Sequence, residues 1–423
     1  MPKITDIHAF EILNAKGNPT IEVTVRADDG TTATASCPTG TSVGSYEAVN
    51  IYDRDEKRFK GLGMLTAKDT IEKIIAPKLT GMDIFDQPGI DKAMIELDGT
   101  KEKAKLGVNS LLPVSMAVMR GAAQSAKLPL YSYVRQFVKN QDSLYKIPTP
   151  LFNLINGGRH VFSGFDFQEF LVIPATSKSY PEALQLGFTV YNSLAEILMN
   201  NNLQTLVGDE GGFSPKLGKN SEAFQLLKDA VDRANIRFGF DIFFGLDAAS
   251  NSFKSGGEYK IKDRSSPYTT NDLLNYYRVS NDSYHLLYIE DPFGEDDWGG
   301  WTQISQQITN AIIVGDDLVA TNPYRLQTAL EKKAISGVVI KPNQIGTIIE
   351  SLAVVEVARS AGLKIIVSHR SGETNDDFLA DFAVGVQADY VKFGAPVRGE
   401  RVAKYNRLIH IDEEIKKTGQ IET

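Results

Sequence analysis

Short apolar runs that close on a charged or polar residue recur through the second part of the chain. They are Ile242–Asp247, Leu286–Glu290, Ala311–Asp316, Gly337–Lys341, Lys364–His369 and Tyr390–Lys392. Amphipathic helix patterns lie between most of them, for example Pro323–Lys333 and Ile348–Ser360. The spacing, mostly roughly 25 to 30 residues, is the pace of β/α units in a barrel of about 250 residues. Two more strand-like runs, Leu151–Asn156 and Phe167–Ile173, precede these six. Only about ten residues join that pair, fewer than the dozen or so a parallel crossover needs, so it should be antiparallel. Eight strands then predict an α/β fold, a modified (β/α)8 TIM-type barrel with two antiparallel leading strands. Its functional face should be the rim where the strands end on charge.

The first part reads differently. Ile4–Leu13 and Ile21–Arg26 flank an Asn-Pro turn, and Asp28-Asp29-Gly30 is a hairpin signal before Thr31–Ser36. Helical patterns follow at Thr66–Leu79, Ile90–Leu97 and Asn109–Lys127, where Pro113 predicts a kink or a delayed helix start. The polar stretch Lys139–Lys146 and then Pro148-Thr149-Pro150 mark a boundary. The expectation is a smaller α+β N-terminal domain over 1-138 and the barrel over 139-423.

Composition narrows the class of function. Hydrophobic residues make up 42% of the 423, enough for a full core. No stretch approaches the ~20 uninterrupted apolar residues of a membrane span. Met1–Asp6 lacks the apolar segment of a signal peptide, so a cytoplasmic protein is expected. The single cysteine, Cys37, excludes an internal disulfide and a cysteine-built metal site, and its expected role is a small core residue. A net charge of -8 without a dense Lys/Arg block argues against nucleic acid as the main partner. An anionic substrate would instead need local cations or a bound metal.

The strand ends supply both. Asp247, Glu290 and Asp316 finish three successive units. One strand-end acid alone would be read as a helix cap or a solvated group. Three in register at a barrel mouth repel one another and call for a cation, and hard oxygen ligands without Cys or clustered His point to Mg²⁺. The next units end on Lys341, on Ser368-His369-Arg370-Ser371 and on Lys392. Cations following anions on one rim describe a site for a metal-chelated phosphorylated or carboxylated ligand. Two glycine-rich polar segments, Asn156–His160 and Gly208–Gly212, add a histidine and an acid, Glu210. The chain contains no P-loop, no G-x-G-x-x-G after a strand, no H-E-x-x-H and no G-x-S-x-G.

In these and the following residues the chain resembles the enolase family. The matching stretches include Gly17–Thr20, Pro38–Ser42, Gln168–Phe170, Gly208–Gly212, Gly245–Asp247, Ile289–Trp298, Gly315–Asn322, Lys341–Gly346, Ser368–Thr374 and Lys392–Pro396. They run in family order from the first strand nearly to the C-terminus.

The resemblance implies reversible dehydration of 2-phosphoglycerate to phosphoenolpyruvate, in a homodimer or a higher assembly of dimers. It implies two Mg²⁺ ions per site, the first held by Asp247, Glu290 and Asp316 and the second recruited with substrate by Ser42. Lys341 resembles the base that takes the C2 proton, and Glu210, with Glu169 beside it, the acid that helps the C3 hydroxyl leave. His160, Glu169, Asp316, Lys341, His369, Arg370, Ser371 and Lys392 resemble substrate-binding residues. The enolase superfamily is itself the standing example of a Lys or His base working with Mg²⁺, so this division of labour is inherited from the family.

Physical chemistry makes the scheme coherent. A lysine of reference pKa about 10.4 carries a handicap of roughly 4–5 kcal/mol as a base at neutral pH. Metal ions, Arg370 and Lys392 nearby are expected to lower it. Crowding of Glu210 against Glu169 favours one shared proton on the pair.

Several positions depart from the family pattern: Asn14-Ala15-Lys16, Thr39, Val43, Val161-Phe162-Ser163, Ser252 and Phe393. Two alternatives therefore accompany the enolase reading. One is a superfamily paralogue acting on another phosphorylated or phosphonylated acid, and the other a catalytically silent binding protein.

Overall fold

The computed structural model describes residues 1–40, 44–139, 144–158 and 164–419. β1 (Ile4–Leu13), β2 (Pro19–Ala27) and β3 (Thr32–Ser36) form an antiparallel meander in the order β1-β2-β3. Gly17 and Gly30, both at positive φ, sit in its two turns, as the Asn-Pro and Asp-Gly signals predict. One face of the sheet is covered by helix Val108–Ser125, which packs on β2 and β3. This helix begins ahead of Pro113, so the delayed start is not observed. The stretch expected as one helix over Thr66–Leu79 is instead Leu65–Thr70, a wider π turn Ile71–Ile75, and Ala76–Leu79. Pro77 has no N–H to donate to the preceding turn, and widening that turn accommodates the loss. Cys37 is fully buried, and burial pushes its thiol up, consistent with an inert core residue.

The larger sheet begins with β4 (Thr149–Pro150), β5 (Phe152–Asn156), β6 (Glu169–Pro174) and β7 (Ile242–Asp247). A two-stranded ribbon, β8 (Lys254–Ser255) and β9 (Glu258–Tyr259), stands apart. Then come β10 (Leu286–Glu290), β11 (Ile312–Gly315), β12 (Gly337–Ile340), β13 (Lys364–Ser368) and β14 (Tyr390–Lys392). The sheet order is β4-β14-β13-β12-β11-β10-β7-β6-β5. Leu151 alone separates β4 from β5, so the two ends of the sheet belong to one run of chain and eight staves close a barrel. As predicted, β5 pairs antiparallel with β6, and β6 antiparallel with β7, while the remaining ladders are parallel.

Leu151, Leu171, Ile173, Tyr288, Val314, Val339, Ile366 and Tyr390 form a separate apolar cluster contributed by the staves. The barrel is therefore a packed core and not a pore. Among the described residues no helix is long and apolar enough to cross a membrane.

Candidate active site

Asp247, Glu290 and Lys392 are the last residues of β7, β10 and β14. Asp316, Lys341 and His369 come directly after β11, β12 and β13. β6 runs the other way, so its first residue, Glu169, reaches the same mouth, paired with Asn156 on one side and Asp247 on the other. Counted around eight staves, β6 faces β12 and β10 faces β14. A cavity of about 410 Å³ opens at this mouth, lined by Glu169, Glu210, Asp247, Asp316, Lys341 and Lys392, among others.

Burial forces these charges to pair. The Lys392 ammonium lies 2.9 Å from Asp247 Oδ2, 2.8 Å from Glu290 Oε1 and 3.4 Å from Glu169 Oε1. The Lys341 ammonium donates to Asp316 Oδ2, and Gln344 Nε2 donates to Asp316 Oδ1 at 3.1 Å. Proton affinities follow from these contacts. Burial, and then the charge of Asp247, drive the Glu290 carboxyl up to about 8 despite Lys392. Glu169 is pushed well above the carboxylate range by burial and next by Glu210, which agrees with a shared proton on that pair.

At Asp316 burial acts upward, but Lys341 and Lys392 outweigh it and hold the carboxyl low. At Lys341 burial acts downward, but Asp316 outweighs it and holds the ammonium above its ordinary value. This is opposite to the lowering expected from sequence, because the group bonded to the amine is a carboxylate.

Carboxylates crowded until burial and a neighbouring charge drive one to about 8 are hard oxygen donors, and such a set fits a divalent cation. Asp291, Asp316 and Asp317 bring carboxylate oxygens within 4.8 Å of one another and could hold a metal ion. This set shares only Asp316 with the trio read from sequence. Asp291 accepts the backbone N–H groups of Asp316 at 3.0 Å and Asp317 at 2.8 Å, so it also anchors the turn that presents Asp316. Glu290 is fully buried beneath Lys392 and is not among the residues lining the cavity.

On the other side of the mouth, Asn153 Nδ2 donates to Glu210 Oε2 at 3.0 Å, and His369 Nε2 stands 3.4 Å from the same oxygen. Arg370 forms a two-pronged pair with Glu47 of the N-terminal domain, at 2.6 and 3.2 Å. Ser371 lines the cavity. Ser42 and His160, expected at the second metal and the substrate, lie outside the described residues, as do Val43 and Val161-Phe162-Ser163. Of the other departures, Thr39 accepts from Asn14 Nδ2 at 2.6 Å, Lys16 Nζ bonds Asp209 Oδ2 at 2.5 Å, Ser252 lines the cavity, and Phe393 is buried against Tyr405.

Sequence reasoning passed over Glu47, Asp291, Asp317 and Arg401. The acidic doublets Glu290-Asp291 and Asp316-Asp317 were visible signals for two of them. Glu47 lies in an irregular segment and Arg401 in a helix far along the chain, and neither carries a local mark.

Fold and mouth together define a TIM-barrel protein with a small N-terminal domain and a cavity lined by carboxylates and by Lys341, Arg370 and Lys392. Residues 144–422 match the family model described as the enolase C-terminal TIM barrel domain, and residues 4–134 the enolase N-terminal domain. These matches span nearly the whole chain, which belongs to the enolase family. That membership indicates an enzyme of lyase type.

Proposed function

We propose that the protein is a phosphopyruvate hydratase, interconverting 2-phospho-D-glycerate and phosphoenolpyruvate in the cytosol. The observation that carries this reading is the facing of β6 and β12, which sets Glu169 opposite Lys341 across the mouth. Dehydration of a 2-phospho-3-hydroxy acid asks for a base on one side of the substrate and an acid on the other. Lys341 takes the proton from C2. Glu210, sharing a proton with Glu169, delivers one to the departing C3 hydroxyl. Arg370, His369, Ser371 and Lys392 bind the substrate's anionic groups, as does His160.

Asp316 governs the base. While it pairs with Lys341 the amine stays protonated, and Lys341 acts as a base once that pair is released. Asp247, Glu290 and Asp316 would hold one Mg²⁺, and Ser42 a second that arrives with substrate. When bound, these ions supply the positive charge that offsets the negative charge growing on the substrate carboxylate as C2 loses its proton. Domains at 1-138 and 139-423, and a homodimer or assembly of dimers, complete the proposal.

The test is ultraviolet absorbance of phosphoenolpyruvate formed from 2-phosphoglycerate with Mg²⁺. Turnover that stops on chelation is expected. Turnover of a phosphonylated or otherwise related acid, with none on 2-phosphoglycerate, would overturn the reading in favour of a paralogue.

A further inference from the structure

Arg401 is fully buried near the start of helix Gly399–Thr418, and its guanidinium is committed around the mouth. NH1 lies 2.8 Å from His369 Nδ1 and 2.5 Å from the Arg370 carbonyl. NH2 lies 2.6 Å from the Ser371 carbonyl and 3.3 Å from the Asp209 carbonyl. A guanidinium carries donors only. His369 Nδ1 must therefore accept, which puts the ring's single hydrogen on Nε2 and leaves no place for a second. Nε2 is buried, has no hydrogen-bond partner, and stands 3.4 Å from Glu210 Oε2. Asn153 Nδ2 reaches the same oxygen. A carboxyl oxygen that bears a hydrogen is a poor acceptor, so the Asn153 amide on Oε2 disfavours a proton on that oxygen.

We propose that Arg401 is a positioning residue for the dehydration acid: it holds His369 as the Nε2–H tautomer, which sets the hydrogen-bearing nitrogen beside Glu210 Oε2. The inference rests on the acid role given to Glu210 above. A purely structural arginine would account for the three carbonyl bonds, but not for the bond to a ring nitrogen whose partner nitrogen faces the acid. The charges around His369 agree. Burial, with Arg401 next, lowers the imidazole to about 4 against the opposing pull of Glu210 and Glu373, so the ring is a neutral donor at working pH.

The experiment is ¹⁵N NMR of the full-length protein labelled at histidine. The chain has five histidines, so His369 is assigned by the signals lost in His369→Gln. Expected in the unmodified protein are a pyridine-type Nδ1 and a pyrrole-type Nε2, unchanged from pH 8 to 6. An Nδ1–H tautomer, or an imidazolium at neutral pH, overturns the proposal, and this result needs no variant to fold. Arg401→Leu should abolish the single-tautomer pattern. It should slow dehydration about a hundredfold, the low end of what general acid–base catalysis contributes, while C2 proton exchange persists. Arg401→Gln, which can still donate to Nδ1, should restore both the pattern and most of the rate. Loss of the tautomer with dehydration unchanged also overturns it. The spectrum reads the tautomer whether or not 2-phosphoglycerate is a substrate, so failure of the functional reading and failure of this inference are told apart.

Discussion

The Lys392 ammonium sits 2.8 Å from Glu290 Oε1, although the two residues end staves that face each other across the barrel. One lysine thus crosses the mouth and neutralises acids from β6, β7 and β10 together. Removing one partner of a buried pair typically costs about 3–5 kcal/mol, because the other charge stays buried. Lys392→Met should therefore lower the melting temperature in chelator. Mg²⁺ should then raise it by more than it raises the wild type, since the vacated acids take the metal instead. Equal Mg²⁺ shifts in both proteins would mean these acids do not bind the ion.

Asp316 belongs both to the cluster Asp291-Asp316-Asp317 and to the trio proposed for the first metal. Asp316→Asn keeps the side-chain shape and removes one ligand charge. Calorimetry should show Mg²⁺ affinity reduced at least tenfold with the barrel still folded, and dehydration abolished. Retention of affinity and turnover together would remove Asp316 from the metal site.

The turn between β1 and β2 contacts three separate segments of the chain. Asn14 bonds Thr39, the Ala15 N–H reaches the Glu373 carbonyl at 2.7 Å, and Lys16 bonds Asp209 next to the acid Glu210. Lys16→Met should slow dehydration several-fold. Stability should change by only about 1 kcal/mol, because the Lys16–Asp209 pair is partly exposed. Unchanged steady-state kinetics would show that this contact does not position the acid loop.

Asp376 fastens the two parts of the molecule. It accepts the Ser36 N–H at 2.9 Å from the edge of the N-terminal sheet and pairs with Arg120 of helix Val108–Ser125 at 2.9 Å. Burial acts to raise the Asp376 carboxyl, but Arg120 outweighs it and holds the carboxyl below its ordinary value. A depressed folded pKa gives stability that is present above the unfolded pKa of about 3.9 and lost as pH falls through the folded value. Asp376→Asn should cost about 2–3 kcal/mol near pH 7, and the gap to wild type should shrink below about pH 4. A gap in urea midpoints that stays constant down to pH 3 would contradict this.

The barrel was legible because six staves are apolar runs that close on a charged or polar residue, a pattern that burial and strand geometry impose locally. The antiparallel start was legible for a similar reason, since a short connection cannot cross over. The rearrangement within the site was not legible. Which acid faces which lysine depends on side chains meeting across the barrel, as Lys392 meets Glu290, and no local pattern encodes that. The pairing of Arg370 with Glu47 joins residues 323 positions apart, from the loop after β13 and an irregular N-terminal segment. The raised Lys341 and the role of Arg401 were hidden likewise, since both follow from one partner, Asp316 or His369, that only the fold supplies.

The division of labour between Lys341 and Glu210 is tested most directly by following C2 deuterium exchange of 2-phosphoglycerate in D₂O by NMR, alongside phosphoenolpyruvate formation. Lys341→Ala should lose both reactions, because the group that takes the C2 proton is gone. Glu210→Gln should still exchange C2 while forming about a hundredfold less phosphoenolpyruvate, the low end of a general acid's contribution. Exchange at the wild-type rate in Lys341→Ala, or loss of exchange in Glu210→Gln with Mg²⁺ still bound, would contradict the account.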